Sequence, residues 1–576
     1  MYLKSPYPDP PALPETNAHN IFFRRPDQAE WPDYTLHIDA TSGKKVMYRE
    51  FVRRVEDLAT ALGTPSSQGG LGFSKENGDI VGIMMENSSD YIALIHANIA
   101  LTTPFALISS YSTPFELKHA LTLSKATALF VDAKFLPIVL PVAKEVGMDL
   151  NRIYVGTGQA AGRKNIDDLI DGVRARSLPF IGAKPAKENT LAYLVFSSGT
   201  SGLPKAVMIS HGNLIYSLGQ AIVMGTVTAE VYTPPPPANP EGIPVVLAML
   251  PLHHTYGLHS YSYRAFLAPV THVVMGKWDI NVALKAIPKY KVSVIALIPS
   301  IVHQLVHHPD IEKVDLSSVT SLGSGAAYLP PELAEKLSRL LPKQSHFSEG
   351  YGMSECTIAA ITQPYPGTLG KLKAYPGSTG VLLPGMEARI VRDDGTEADF
   401  DEPGELWLRS RNVALGYWNN EKANRETFVD GWLRTGDKFR VDKEGNFWCV
   451  LERFSMPDTL KVSGAQVSPV EIENCLLAHP DHLIIDATVA GVSGGRTSDE
   501  KVPRAWVVLS DKGKALGPDA VIQALKKWTE DNLSKYKHLR GGIEIIKEIP
   551  KSPTGKVLRR VLQDEYEKTV AVKAKL

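Results

Sequence analysis

The chain has 576 residues, too many for one hydrophobic core, so two or more domains are expected. Lys plus Arg and Asp plus Glu both number 62, and a net charge of zero argues against a nucleic-acid binder, which carries a basic excess. Three cysteines, Cys356, Cys449 and Cys475, stand at no disulfide or zinc spacing, which excludes a disulfide framework and fits a reducing compartment.

Residues 1–14 are proline-rich and lack the apolar stretch of a secretory leader. Short β-rich runs at 80–85, 128–131, 245–250 and 292–297 alternate with amphipathic helical segments up to about residue 390, the pattern of α/β layers around mostly parallel sheets. The longest apolar stretch, 91–108, contains His96, Asn98 and Pro104, and reads as a buried helix and strand rather than a membrane span. Residues 63–78 and the proline-rich 232–242 read as exposed loops, since proline cannot join the interior of a sheet. No internal repeat is evident.

Between two apolar runs, 191–196 and 206–209, lies Ser197-Ser198-Gly199-Thr200-Ser201-Gly202-Leu203-Pro204-Lys205. A strand–loop–strand hairpin with this tip is dense in backbone N–H groups and hydroxyls. Its glycines let backbone approach a ligand and Lys205 adds positive charge, so it reads as a polyphosphate grip. It is not the G-x-x-x-x-G-K-[ST] loop that opens a helix, because Lys205 leads into a strand. Next comes Pro251-Leu252-His253-His254-Thr255-Tyr256-Gly257. No further ligand at metal spacing accompanies the two histidines, so the segment reads as a gate or pocket wall. Ser324-Gly325-Ala326-Ala327 and Glu349-Gly350-Tyr351-Gly352-Met353-Ser354-Glu355 follow. Small residues let an adenine slide against backbone, Tyr351 offers a stacking face, and Glu355 offers a hard oxygen suited to phosphate-bound Mg²⁺. In Gly431-Trp432-Leu433-Arg434-Thr435-Gly436-Asp437 a carboxylate after a tight turn suits two ribose hydroxyls, although an isolated Thr-Gly-Asp more often caps its own turn.

Beyond a turn at 442–445 and a strand at 446–450, the polar segment 452–458 separates a smaller α+β unit. That unit is predicted to hold helices at 469–477 and 518–533 and strands at 486–492, 504–509 and 542–547. The expected division is 1–451, a hinge at 452–458, and 459–576. Near its end, Pro550-Lys551-Ser552-Pro553-Thr554-Gly555-Lys556 presents Lys556 on a stiff loop. The final Ala574-Lys575-Leu576 is similar to the Ser-Lys-Leu peroxisomal address, giving an expected peroxisomal location with a cytoplasmic alternative, and a peroxisomal import receptor as a partner.

Taken in order over roughly residues 45–565, these motifs resemble the adenylate-forming superfamily of acyl- and aryl-CoA synthetases, beetle luciferases and peptide-synthetase adenylation domains. Residues 250–258, 315–327 and 550–559 read closest to its 4-coumarate–CoA ligase-like branch. The resemblance implies an α/β fold: a large N-terminal AMP-binding domain of αβαβα layers plus a small β-barrel, with a small mobile α+β C-terminal domain. It implies ATP, Mg²⁺ and coenzyme A acting on a small-molecule carboxylic acid, either aryl (phenylpropanoid) or medium-chain, through an acyl-AMP. By resemblance Ser197 to Lys205 hold phosphates, and Gly325, Ala326, Ala327 and Glu349 to Ser354 surround the adenine. Glu355 meets Mg²⁺, Asp437 and Arg453 meet the ribose, and Lys556 is the catalytic lysine. Lys461 and Gln466 reach nucleotide or acyl group, Ser463 and Gly464 line the coenzyme A tunnel, and His254 sits at its mouth. Acyl-pocket candidates are Tyr256, Gly257, Ser260, Gly325, Ile358 and Ala359.

Two departures from the branch pattern stand out. The stretch Glu452-Arg453-Phe454-Ser455-Met456-Pro457-Asp458-Thr459-Leu460-Lys461 is about two residues longer than usual, and Cys356-Thr357-Ile358-Ala359 replaces the usual Ala-Gly-Pro after the glutamate. Cys356 has no activating base nearby in sequence and reads as a small wall residue. The competing functions are a stand-alone adenylating enzyme that loads a carrier protein, a luciferase-like oxidative activity on an adenylate, and a non-catalytic nucleotide-binding protein. The intact Lys205, Glu355, Asp437 and Lys556 count against the last.

Overall fold

The computed structural model describes residues 1–12, 14–197, 204–326, 329, 331–450, 460–462, 465–494, 501–550, 557 and 559–573. The chain divides into two units: 1–110 with 121–196 and 206–450, and 111–120 with 197–205 and 451–576.

Three sheets build the first unit. A nine-stranded sheet runs, edge to edge, Val381–Leu382, Ile361–Thr362, His346–Tyr351, Ser321–Ser324, Val294–Leu297, Val245–Ala248, Thr271–Val274, Thr35–Asp39 and Lys45–Met47. The six strands from His346–Tyr351 to Thr35–Asp39 are parallel. A seven-stranded sheet runs Gly416–Tyr417, Lys205–Ser210, Leu191–Ser197, Phe105–Leu107, Val81–Met84, Ala128–Val131 and Ile153–Val155, with its last five strands parallel. Strands buried on both faces read as near-continuous apolar runs, and Val81–Met84 and Ala128–Val131 are buried throughout for that reason. One core cluster contains side chains of both sheets, among them Leu36, Ile83, Tyr193, Leu247 and Ile295.

Helices fill the space around these strands according to their patterns. Tyr48–Gly63 buries Phe51, Val55, Leu58, Ala59 and Leu62, the stripe of an amphipathic helix. Ser89–Leu101 is buried from Tyr91 to Leu101, is capped by the Ser88 side chain on Tyr91 N, and ends at Thr102 in the left-handed region. This helix and the strand Phe105–Leu107 account for the longest apolar stretch, and no helix of the described residues is long and apolar enough to cross a membrane.

The third sheet is antiparallel, in the order Tyr2–Lys4, Glu387–Val391, Gly404–Arg409, Trp432–Val441, Phe428–Val429, with Phe447–Cys449 also pairing Trp432–Val441. The expected small barrel is thus corrected to a six-stranded sheet that does not close among the described residues.

In the second unit, Ile484–Ser493 and Lys501–Leu509 pair antiparallel, and Ile543–Ile545 joins the latter in parallel. Helices Pro469–Leu477 and Pro518–Asn532 bury Ile472, Leu476, Val521 and Leu525 with Val489, Ala505 and Val507. Glu473 accepts from Thr488 Oγ1 at 3.2 Å, Val489 N at 2.7 Å and Arg559 Nη2 at 2.9 Å, so its buried charge is satisfied.

Candidate active site

In an open parallel sheet, ligands collect beyond the carboxyl ends of the strands. The carboxyl ends of Val245–Ala248, Ser321–Ser324 and His346–Tyr351 lead directly into the 251–257 motif, Gly325-Ala326, and Gly352-Met353. Every residue of His346–Tyr351 is half-buried, in contrast to the buried strands at the sheet centres.

Tyr351 and Asp437 are 86 positions apart, yet Tyr351 Oη donates to Asp437 Oδ2 at 2.8 Å. Asp437 lies within the continuous strand Trp432–Val441, where Gly436 at φ 74° sits in a register shift against Gly404–Arg409, so the expected tight turn is corrected to an irregularity inside a strand. The Asp437 N–H bonds to Thr435 Oγ1 at 3.1 Å, Thr435 Oγ1 donates to Leu406 O at 2.7 Å, and Gly436 N donates to Glu405 Oε1 at 3.1 Å. The Tyr351 ring stands edge-on to Phe439, with centroids 4.8 Å apart. Burial, and after it the neighbouring Asp437 charge, holds the Tyr351 hydroxyl protonated and therefore a donor.

Glu355 is 2% exposed and its Oε1 accepts from Tyr417 Oη at 2.9 Å. Burial, then the Glu355 charge, raises the Tyr417 pKa, so this bond keeps its direction. Ser354 and Thr255 share a hydroxyl–hydroxyl bond of 2.9 Å, which ties the 349–355 and 251–257 motifs together. Glu349 lies opposite Ser324 in parallel register, and burial raises its carboxyl to about 7.

After Glu355 the chain reverses sharply. Thr357 sits at φ 67°, where a β-branched residue is a genuine outlier, and its Oγ1 donates to Asn412 O at 2.5 Å. Asn412 Nδ2 donates to Cys356 O at 2.9 Å and Ala359 O at 3.3 Å. The returning chain passes so close that a Cβ on Gly352 would lie 2.6 Å from Ala359 Cα. Ile358 and Ala359 keep partial solvent contact, whereas Cys356 is fully buried and its thiol is pushed up to about 12 by burial. Cys356 therefore packs behind the turn, protonated and unreactive.

His254 caps the helical turn Thr255–Leu258 and is open to solvent at its edge, while the protein around it lowers its pKa. Its neighbour His253 is lowered to about 3 by burial and the second histidine. Tyr256 Oη donates to Gly323 O at 3.2 Å, and Cβ atoms on Gly323 or Gly325 would lie 3.5 Å from this side chain. Ser260 is half-buried four residues further on, and Gly257 is buried against the Leu250 carbonyl oxygen, 2.6 Å from where a Cβ would stand.

Ser197 ends one strand of the hairpin and Lys205 begins the next. Lys461 and Gln466 face each other in the register of Leu460–Val462 with Ala465–Val467. Ser198, Gly199, Thr200, Ser201, Gly202, Ala327, Arg453, Ser463, Gly464, Lys556, the segment 452–458 and Ala574–Leu576 lie outside the described residues. Tyr417 and Asn412 had no motif to mark them; each acts through a tertiary hydrogen bond, to Glu355 and to the 356–359 turn.

Residues 24–418 match the family model described as AMP-binding enzyme, and 471–556 match the AMP-binding enzyme C-terminal domain. A probable 4-coumarate–CoA ligase 1 of Dictyostelium discoideum is 31% identical over 92% of this chain and 92% of its own length. Acyl-CoA synthetase 7 of Caenorhabditis elegans is 32% identical over 81% of this chain and 82% of its own. The fold is shared with o-succinylbenzoate CoA synthetase of Bacillus subtilis, at TM-score 0.74, 22% identity and coverage of 96% and 98%. It is also shared with an anthranilate CoA ligase solved with anthranoyl-AMP, at TM-score 0.64, 25% identity and coverage of 97% and 99%. The chain belongs to the AMP-binding enzyme family. It is an enzyme of the adenylate-forming superfamily.

Proposed function

We propose that the protein is an acid–thiol ligase that joins a carboxylic acid, aryl or medium-chain, to coenzyme A at the expense of ATP. The acid's carboxylate oxygen attacks the α-phosphorus, the bond to the β-phosphate oxygen breaks, and pyrophosphate leaves. The coenzyme A sulfur then attacks the acyl carbon and AMP leaves. A carboxylate is already a nucleophile at neutral pH, so the protein's task is positioning and charge stabilisation rather than general-base catalysis.

The observation that carries this reading is the 2.8 Å bond from Tyr351 to Asp437. It sets a carboxylate suited to ribose hydroxyls beside an aromatic face and the small residues Gly350 and Gly352. The hairpin bounded by Ser197 and Lys205 holds β- and γ-phosphates in this reading, and Lys556 neutralises charge between the attacking carboxylate and the α-phosphate. Mg²⁺ comes with ATP as part of the substrate. Among the described residues no group of three or more His, Cys, Asp or Glu gathers to hold a resident metal. The buried carboxylate of Glu355, which among the described residues accepts from Tyr417 on one oxygen, fits an ion carried mainly by phosphates.

Pyrophosphate release from ATP and Mg²⁺ across a panel of carboxylic acids, with and without coenzyme A, tests the reading. Acid-dependent release with a thioester product is expected. Release that never yields a thioester moves the assignment to a carrier-loading adenylating enzyme, and no release with any acid moves it to a nucleotide-binding protein. Peroxisomal delivery through Ala574-Lys575-Leu576 belongs to the same reading. A fluorescent fusion lacking these three residues is expected to disperse into the cytosol, and unchanged puncta would reject the signal.

A further inference from the structure

Residues Thr255–Leu258, His259–Tyr263 and Arg264–Phe266 form one continuous helical rod whose middle turn is a π-helix. Twelve residues in a row meet protein on nearly every side. Only Tyr256, Ser260 and Arg264 keep partial solvent contact, and Leu258, His259, Tyr261, Ser262, Tyr263, Ala265 and Phe266 are at most 1% exposed. A spacing of four drifts by about 40° per step on an α-helix. The wider π turn rotates back and brings Arg264 into line with Tyr256, and π turns of this kind concentrate at functional sites. The three therefore form one stripe on the single open face of an otherwise enclosed rod, and Tyr256 places that face over Gly323 and Gly325 in the proposed acyl pocket.

Arg264 is the anomaly in this stripe. Its Nε is buried without a hydrogen-bond partner, and the guanidinium makes no ion pair or hydrogen bond among the described residues. The groups that share its electrostatic environment are Tyr256 and His259, not a carboxylate. Tyr256 lies two turns back, as expected for a long side chain that folds over the preceding turns of its helix. A guanidinium cannot shed its charge, and a crowded cation without a counter-charge destabilises the fold. Its planar fork matches a carboxylate with two parallel hydrogen bonds.

We propose that Arg264 binds a second carboxylate, carried at the far end of the acid, so that the preferred substrate is a dicarboxylic acid. Tyr256 and Ser260 line the path between the reacting carboxylate and this anchor. The inference rests on the acid-activating reading above and narrows its substrate class. It makes Arg264 a specificity residue that touches the acid away from the reacting atoms.

Matched pairs decide it: hexanoate against adipate, octanoate against suberate, and cinnamate against 4-carboxycinnamate. Thioester formation by the wild type, Arg264→Met and Arg264→Lys is measured, together with calorimetric titration of each acid in the absence of ATP. The wild type is expected to favour at least one diacid over its partner in kcat/KM. Arg264→Met is expected to lower kcat/KM for that diacid about ten- to a hundredfold while leaving the monoacid unchanged or improved. Arg264→Lys keeps the charge and is expected to recover part of the preference. Preference for every monoacid, or equal losses for both members of each pair, overturns the proposal. If no acid releases pyrophosphate, the ligase reading fails and the titration still decides Arg264: diacid binding that Arg264→Met abolishes supports the anchor, and its absence in the wild type refutes it.

Discussion

At the scale of single residues, the proposed function separates groups that hold the nucleotide from the one expected to change the rate. Asp437, Tyr351 and Glu355 each have a fixed partner, at 2.8 Å between Asp437 and Tyr351 and 2.9 Å between Glu355 and Tyr417. Their geometry exists before substrate arrives, so their contribution is positioning. Lys556 has another role. In the proposed reading it supplies positive charge between the attacking carboxylate and the α-phosphate oxygens, a charge needed in the first half-reaction and not in the second. Lys556→Ala is therefore expected to slow acyl-AMP formation by roughly 10²–10³-fold, the cost of losing one electrostatic stabiliser. Thioester formation from supplied acyl-AMP should stay within about threefold of the parent. The two half-reactions are measured separately, by pyrophosphate exchange and by thioester release from synthetic acyl-AMP. Equal losses in both would remove the assigned role.

At the scale of elements, the turn at 352–359 is where sequence and structure diverge most. Several strands were legible because each is a short apolar run: Ala128–Val131 falls on its predicted bounds, and the predicted 191–196 and 206–209 run as Leu191–Ser197 and Lys205–Ser210. The helix at 469–477 likewise begins at its proline and ends where predicted. The candidate nucleotide motifs are local strings that the sequence displays directly. The partners that fix them are not, since Tyr417 and Asn412 reach Glu355 and Cys356 from about sixty positions away, with no local pattern to mark them. The third sheet was misread as a barrel because closure depends on which edge strands meet, and no residue encodes that alone. The turn itself depends on Gly352. A methyl group there would lie 2.6 Å from Ala359 Cα, against backbone that Asn412 holds in place. Gly352→Ala is expected to cost about 3 kcal/mol or more of stability and to remove adenylation, because relief of the clash would displace Glu355. Urea unfolding and pyrophosphate exchange on the same variant check this, and a variant within about 0.5 kcal/mol of the parent would show that the turn relaxes freely.

At the scale of the whole molecule, the first unit stores an unusual set of neutral histidines. His19, His37, His96, His211, His259 and His272 are at most 1% exposed. Burial lowers His96 to about 3, His19, His211 and His272 to about 4, and His37 and His259 well below the ordinary value. Each stays neutral in the fold and takes up a proton in the unfolded chain below about pH 6.5. The unfolded state then binds more protons, so these groups give full stability above that value and lose it as the pH falls toward their folded values. The loss approaches about 1.4 kcal/mol per pH unit for each histidine. Glu349, raised by burial to about 7, acts in the opposite direction, as do the Asp132 and Glu471 carboxyls that burial also raises, while His253, lowered to about 3, adds to the histidines. Stability is therefore expected to be flat near pH 7.5 and to fall steeply between about pH 6.5 and 4.5. His19 isolates the effect, since neither ring nitrogen has a hydrogen-bond partner and the ring packs 5.2 Å from Phe23 and 5.9 Å from Phe180. Replacing it by leucine removes a titrating group without orphaning a polar partner. His19→Leu is expected to stabilise the protein more at pH 5 than at pH 7.5, with its unfolding curves showing a shallower pH slope by about one proton. A slope identical to the parent's would mean that His19 is not neutral in the fold and that the acid sensitivity arises elsewhere.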